Sequence, residues 1–188
     1  KDVQICIDTH TVLERLLQIS RAILPDSIFC VQERGAKEMA DVLHRNTVYL
    51  PLAADKGMFM PVSTKRPIGV SFVGGIDDKR QEILSFVQKE LANRDISMVY
   101  GELDHQNMKY LYGMSKFVLN MANSDDINMR VWESLIAGAK LLQPATASVA
   151  KDILKNQENV VYWKTPCDII DIVRANALSA TTGITQNE

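Results

Sequence analysis

Residues 123–144 read NSDDINMRVWESLIAGAKLLQP, a polar acidic loop followed by a helix, a glycine and an apolar strand. The helix carries Arg130 and Glu133 near its start, and Gly138 is placed to end it. The first turn of such a helix presents unpaired backbone N–H groups and the positive end of the helix dipole. In open α/β proteins this arrangement holds anionic ligands. The stretch therefore predicts an α/β fold with a ligand site at the start of this helix.

The sequence around this stretch alternates between strand-like and helix-like patterns. The helix at about 77–91 has a predicted buried stripe of Ile83, Phe86, Val87 and Leu91. Alternation of this kind favours a parallel sheet flanked by helices, which is a Rossmann-like unit. The predicted strands are 68–74, 96–101, 117–122, 140–145 and 159–164, and the other helices are 105–116, 128–137, 148–156 and 166–178.

The first sixty residues repeat the alternation over a shorter length. Strands are predicted at 3–8, 27–33 and 47–55, with helices between them at 9–24 and 35–46. Residues 56–67 are rich in proline and mixed in polarity, so they are interpreted as a linker, with a domain boundary between residues 62 and 63. About three strands are too few for a complete Rossmann-like unit. The sequence also begins at Lys1, so we expect a fragment whose N-terminal unit is incomplete.

Composition excludes several classes of function. The chain has a net charge of −2 and no run of Lys and Arg, which argues against a nucleic-acid partner. No apolar run reaches the ~20 residues of a transmembrane helix. Cys6, Cys30 and Cys167 are scattered, Cys6 and Cys30 within predicted buried strands. This spacing indicates free thiols, a cytoplasmic setting and neither a disulfide framework nor a zinc site.

Candidate site residues follow from the rule that ligands bind beyond the carboxyl ends of parallel strands. The paired glycines Gly74 and Gly75 would let a backbone approach a phosphate, with Arg80 in the next helix to neutralise it, although a plain strand-to-helix turn also needs glycine. The residues selected by this rule are Asp8 to His10, Gly74-Gly75, Gly101-Glu102, Asn120 with Asn123, and the loop 124–128 ending at Asn128.

Arg130 and Glu133 have two interpretations. At i,i+3 they share one helix face and could form an ordinary surface ion pair. Alternatively, Glu133 accepts hydrogen bonds from sugar hydroxyls while Arg130 holds a phosphate. Asp125 and Asp126 oppose an anion at this entrance, but Asp126 could be the N-cap and Asp125 could reach a ligand hydroxyl.

The segments IGVSFVGGIDDKRQEIL (68–84) and LYGMSKFVLNMANSDDINMRVWESLIAGAKLLQPA (111–145) resemble the group 1 glycosyltransferase domain of the spore-maturation-protein-like (CgeB-like) family. The resemblance is most specific over Ile127 to Leu142, which follows the family pattern INMRxFE-xxAxGxxLL. The segments 7–10 and 48–55 also resemble the end of that family's N-terminal domain. The family has the GT-B architecture, in which two Rossmann-like domains face a cleft.

This resemblance implies a metal-independent transferase that moves a sugar from a nucleoside-diphosphate sugar to an acceptor hydroxyl. Glu133 matches the family glutamate on the donor ribose, and Asp125 falls where a further glutamate is usual. Gly74 and Gly75 match the glycine loop that faces the diphosphate. Arg80 and Arg130 match the family's basic residues.

Three further site residues and two alternative functions are expected. Asn120 and Asn128 are expected beside the donor; the sequence does not identify the catalytic base, and His10 is a candidate for a catalytic residue in the cleft. The alternatives are a nucleotide-sugar-binding or scaffold domain without turnover and a sugar-nucleotide epimerase on the same fold. No cofactor is expected beyond the donor substrate, whose acceptor the sequence does not identify. An incomplete N-terminal sheet would expose a strand edge to a second copy of the chain.

Overall fold

Parallel strands alternate with helices in both halves of the chain. The computed structural model describes residues 2–6, 9–59, 61, 65–122, 127–145 and 152–182. The first half contains β1 (Val3–Cys6), α1 (Thr9–Ile23), β2 (Ser27–Cys30), α2 (Glu33–Leu43) and β3 (Thr47–Tyr49). The second half contains β4 (Ile68–Val73), α3 (Asp78–Ala92), β5 (Met98–Gly101), α4 (His105–Met114), β6 (Ser115–Leu119), α5 (Met129–Ile136), β7 (Lys140–Pro144), β8 (Val160–Trp163) and α6 (Pro166–Thr182).

The N-terminal sheet has the order β1-β2-β3, with all strands parallel. Cys6 and Cys30 are partners across β1 and β2 and lie in a core beneath α1 and α2. Both thiols are fully buried, as the sequence predicted, and burial raises the pKa of Cys30 to about 12. The opposite face is apolar and open, since Val3 and Ile5 are 57% and 62% exposed.

The second sheet is five-stranded, with the order β5-β4-β6-β7-β8 and every pairing parallel. Strand β5, which follows β4 in sequence, lies on one side of β4, and β6 lies on the other side. The direction of winding therefore reverses between β4 and β6. In an open parallel sheet this reversal opens a crevice at the carboxyl ends of the two strands. The parallel α/β class expected from the alternation is confirmed.

Helices cover both faces of the second sheet. Helices α3 and α6 pack on one face, where Phe72, Leu84 and Ile169 belong to the largest core cluster. Helices α4 and α5 pack on the other face. The predicted stripe of α3 was right for Val87 but wrong for Phe86, which is 42% exposed. Phe86 lies about 200° around the helix from the buried Leu84, so the two cannot share one face.

Part of the stretch interpreted as a linker packs against the second sheet. Phe59 is 2% exposed and lies in the cluster beneath α4. Arg66 donates from Nη1 to the carbonyl oxygens of Tyr112 (3.2 Å) and Ser115 (2.7 Å), and from Nη2 to that of Ala137 (2.7 Å). It thereby satisfies carbonyls that the ends of α4 and α5 leave without helical partners. One cation fixes the carboxyl ends of two helices.

Among the helices that the structure describes, none combines the length and the apolar character needed to cross a membrane.

Candidate functional site

The reversal between β4 and β6 locates the candidate site. Val73 ends β4 and is followed by Gly74, and Asn120 follows β6 directly. Helix α5 begins at Met129, after the N-cap residue Asn128, and brings its first turn to the same edge. The sequence-predicted residues Gly74, Asn120, Asn128 and Arg130 therefore meet at one place in the fold, at the crevice where α/β proteins hold ligands.

Arg130 joins the elements that meet at this edge. Its Nε and Nη2 donate to the carbonyl oxygen of Val73 at 3.0 and 2.6 Å, and its Nη1 donates to Oδ1 of Asn120 at 2.7 Å. The guanidinium also lies over the ring of Phe72, 4.6 Å from its centroid. Burial lowers the pKa of Arg130, but the group stays charged because its ordinary value is far above neutrality. A fixed, largely desolvated cation results.

A chain of amides extends from this arginine into the sheet. Oδ1 of Asn120 also accepts from Nδ2 of Asn128 at 3.0 Å, and Nδ2 of Asn120 donates to Oε1 of Gln143 at 2.8 Å. Asn120 is fully buried, so these bonds satisfy a group that would otherwise be costly. Its side chain therefore positions Arg130 and Asn128 at the edge.

The close approach of Arg130 explains why position 74 is a glycine. The glycine has φ 150°, and a Cβ atom at this position would lie 2.5 Å from Nη2 of Arg130. Gly75 is different, because the atom nearest to its Cβ would be Oε1 of Glu102 at an ordinary 3.6 Å. The first glycine makes room for an arginine, whereas the second is exposed at the surface of the loop.

Arg80 approaches the same loop from the other face of the sheet. Its Nη1 donates to the carbonyl oxygen of Gly75 at 2.7 Å and its Nη2 to that of Met121 at 3.0 Å. Its guanidinium lies 5.9 Å from the centroid of Phe72. Two arginines thus flank one buried ring where β4 ends.

Glu133 lies on the wall of a pocket of about 310 Å³ between α4 and α5, which also includes Gly74, His105 and Arg130. The residue is only 4% exposed. Burial raises the pKa of its carboxyl, and the positive charges of Arg130 and His105 oppose that rise. Within the described part of the chain, no ion pair joins Glu133 to Arg130, because the guanidinium is directed to Val73 and Asn120. The surface-pair interpretation of these two residues is not what the structure shows.

Tyr112 is a pocket residue that the sequence analysis did not select. It is fully buried on α4 and lines the same pocket, yet its hydroxyl makes no well-aligned hydrogen bond among the described residues. Oδ1 of Asn128 is likewise buried without a hydrogen-bond partner among the described residues. Tyr112 lies at helical spacing from Met108, which is typical of an ordinary core aromatic, so only the three-dimensional structure could reveal the unpaired hydroxyl.

A second pocket of about 370 Å³ lies on the α3 and α6 side of the same edge. Arg80 belongs to its wall, and Nε1 of the lining Trp163 donates to the carbonyl oxygen of Leu142 at 3.2 Å. The other lining residues are Asp77, Lys79, Ile83, Met121, Ala122, Pro144, Lys164 and Pro166. The carboxyl edge of the sheet is therefore concave on both sides of the Gly74-Gly75 loop.

Several of the predicted residues lie wholly or partly outside the described part of the chain. Asp125 and Asp126 lie outside the described residues, and the N-cap of α5 is Asn128, whose side chain makes no capping hydrogen bond. The backbone of His10 lies in the first turn of α1, and its side chain lies outside the described part.

Comparison with known proteins adds no family assignment: no family model matches the chain, and none of the curated proteins matches it.

Proposed function

We propose that this chain forms the donor-binding portion of a GT-B-type glycosyltransferase and holds a nucleoside-diphosphate sugar at the carboxyl edge of the second sheet. One observation carries the proposal. Glu133 is an almost completely buried carboxyl on the wall of a pocket at the reversal point, and it has no ion-pair partner in the described part of the chain. Neighbouring hydroxyls of a sugar are groups that such a carboxylate can bind.

The chemistry of Glu133 favours a hydroxyl-rich ligand. An ionised carboxylate held away from water is costly unless hydrogen bonds compensate it. Its two oxygens can accept from adjacent ribose hydroxyls at the same time. A pocket of about 310 Å³ is at the small end of the usual range for ligand sites, so it suits a nucleoside better than a whole donor.

The diphosphate would continue from this pocket past Gly74 and Gly75. Arg130 lies beside the glycines on one face and Arg80 on the other, so both cations are near the path. In the reaction the glycosidic oxygen of the donor leaves with the diphosphate. Fixed positive charges stabilise that departing anion without requiring a metal ion.

A second candidate function is binding of the nucleotide sugar without turnover. The hydrogen bonds of the two arginines support this candidate. Arg130 and Arg80 donate to main-chain carbonyl oxygens, so their positions are explained by structure alone and do not require a catalytic role. Assay of donor hydrolysis and of sugar transfer separates the two candidates, because only the enzyme releases the nucleoside diphosphate.

Thermal denaturation with uridine or guanosine diphosphate tests the donor site. At a hundredfold excess over Kd, a bound ligand stabilises by about 2.7 kcal/mol, which corresponds to a rise in Tm of about 5–10 °C for a chain of this length. Glu133→Gln should remove this rise, whereas Glu158→Gln, at an exposed position, should retain it. No rise with any nucleoside diphosphate at millimolar concentration would refute the proposal.

A further inference from the structure

The hydroxyl of Tyr112 makes no well-aligned hydrogen bond in the described part of the chain. Its oxygen is buried and the ring is fully packed; the guanidinium of Arg130 approaches the oxygen, but no hydrogen bond of good geometry forms. A buried hydroxyl in this condition costs free energy that a phenylalanine of the same shape would avoid. Packing therefore accounts for the ring but not for the oxygen.

The groups around this hydroxyl belong to the pocket. Burial raises the pKa of Tyr112 to about 12; the charge and the close approach of Arg130 oppose that rise, and the charge of Glu133 adds to it. The phenol is therefore protonated at neutral pH and can donate a hydrogen bond. Glu133, on the wall of the same pocket, is an acceptor that burial leaves poorly solvated.

We propose that Tyr112 is a positioning residue for Glu133: when a ligand fills the pocket, the phenol donates to one carboxylate oxygen and fixes the carboxylate toward the sugar hydroxyls. The remaining lone pairs of the carboxylate then accept from the ligand. Asn128 lines the same pocket, and its buried Oδ1 is a second acceptor without a partner in the described chain. This role rests on the proposed function and adds to it the residue that orients the carboxylate.

The variant Tyr112→Phe tests this role, with Tyr110→Phe as the matched control because Tyr110 lies on the same helix and is 42% exposed. Calorimetric titration with uridine and guanosine diphosphate measures Kd for each protein. We expect Kd to rise about tenfold in Tyr112→Phe, the loss of one hydrogen bond to a charged group, and to stay unchanged in the control. The Tm of the unliganded Tyr112→Phe protein should equal or exceed that of the wild type.

The pH dependence of ligand binding distinguishes a positioning role of the Tyr112 hydroxyl from a role in packing alone. The phenol helps the ionised carboxylate most, so the ratio of the two Kd values should be greatest at about pH 8 and fall toward one as Glu133 is protonated. The other charged or titratable groups on this wall, His105 and Arg130, are the same in both proteins, so the comparison isolates the phenol. A ratio that is constant with pH would overturn the positioning role.

Two other results would also decide the matter. A lower Tm for unliganded Tyr112→Phe would show that the hydroxyl is structural, and unchanged binding would show that it has no part in recognition; either overturns the inference. If the wild-type protein binds no nucleoside diphosphate, the proposed function itself fails, and the role of Tyr112 fails with it.

Discussion

Replacement of Gly74 by alanine should destabilise the protein through Arg130. The added Cβ would lie 2.5 Å from Nη2 of Arg130, which is too close for nonbonded atoms. An exposed arginine would simply move away. Here the guanidinium is held by hydrogen bonds to Val73 and Asn120 and lies on the ring of Phe72, so moving it breaks these contacts.

The magnitude has two components. Forcing a non-glycine residue into the backbone conformation with φ 150° costs about 1–3 kcal/mol. Displacing the guanidinium from the carbonyl oxygen of Val73 forfeits a charge-assisted hydrogen bond worth about 1.5–3 kcal/mol. Because the backbone can relax, we expect a total of about 2–4 kcal/mol, which lowers Tm by about 5–15 °C in a chain of this length.

Urea denaturation followed by circular dichroism measures the free energy of unfolding. Gly75→Ala is the matched control, since its new Cβ meets only Oε1 of Glu102 at 3.6 Å, and we expect it to change stability by less than about 0.5 kcal/mol. A double-mutant cycle with Arg130→Ala isolates the contact. In that background Gly74→Ala should cost only the backbone component.

Two results would refute this reasoning. If Gly74→Ala and Gly75→Ala destabilise the protein equally, the close approach of the arginine is not what requires glycine at position 74. If Gly74→Ala costs as much with Arg130→Ala as with the wild-type arginine, the contact with the guanidinium contributes nothing.

Two further predictions concern groups that support the pocket. Arg66→Met should lower the free energy of unfolding, measured by urea denaturation, by about 2–4 kcal/mol, because three main-chain carbonyl oxygens lose their donor. Arg34→Met is the control: its side chain is 88% exposed and pairs with Glu38 on the same helix, so the loss should be less than about 1 kcal/mol. Equal losses in the two variants would contradict the structural role of Arg66. Burial raises the pKa of Glu133 in the folded protein, so the folded state holds that proton more tightly and stability falls as pH rises above the unfolded value of about 4.3. Glu133→Gln should therefore raise Tm at about pH 7 and give no gain below about pH 4, and a variant less stable than wild type at neutral pH would contradict this.

Local patterns predicted most elements of the fold, although the strand expected at 47–55 ends at Tyr49. The run Ile68–Val73 is almost entirely buried because it lies in the middle of a parallel sheet with helices on both faces, and a continuous apolar run is what that position requires. Gly138 was predicted to end the helix before β7, and it does so with φ 75°, a conformation that few other residues adopt easily.

The contacts of the candidate site depend on strand order, which local patterns do not encode. Arg130 was selected correctly as a residue near the site, but its acceptor Val73 lies 57 positions earlier in the chain. Only the placement of β6 beside β4 brings the two together. The same cause explains Gly74, whose neighbour is a distant arginine. Tyr112 was missed because a residue's spacing reveals its burial but not whether its hydroxyl has a partner.

The immobilised guanidinium of Arg130 has a consequence for association. An arginine loses about 1.5–2 kcal/mol of side-chain entropy when it is fixed in one conformation. Here that loss is part of folding, because the hydrogen bonds to Val73 and Asn120 form without a ligand. An anion arriving at this edge would not have to order the side chain, and dissolved salt would screen a largely buried cation only weakly. The affinity of this edge for such an anion should therefore change little between dilute buffer and physiological ionic strength.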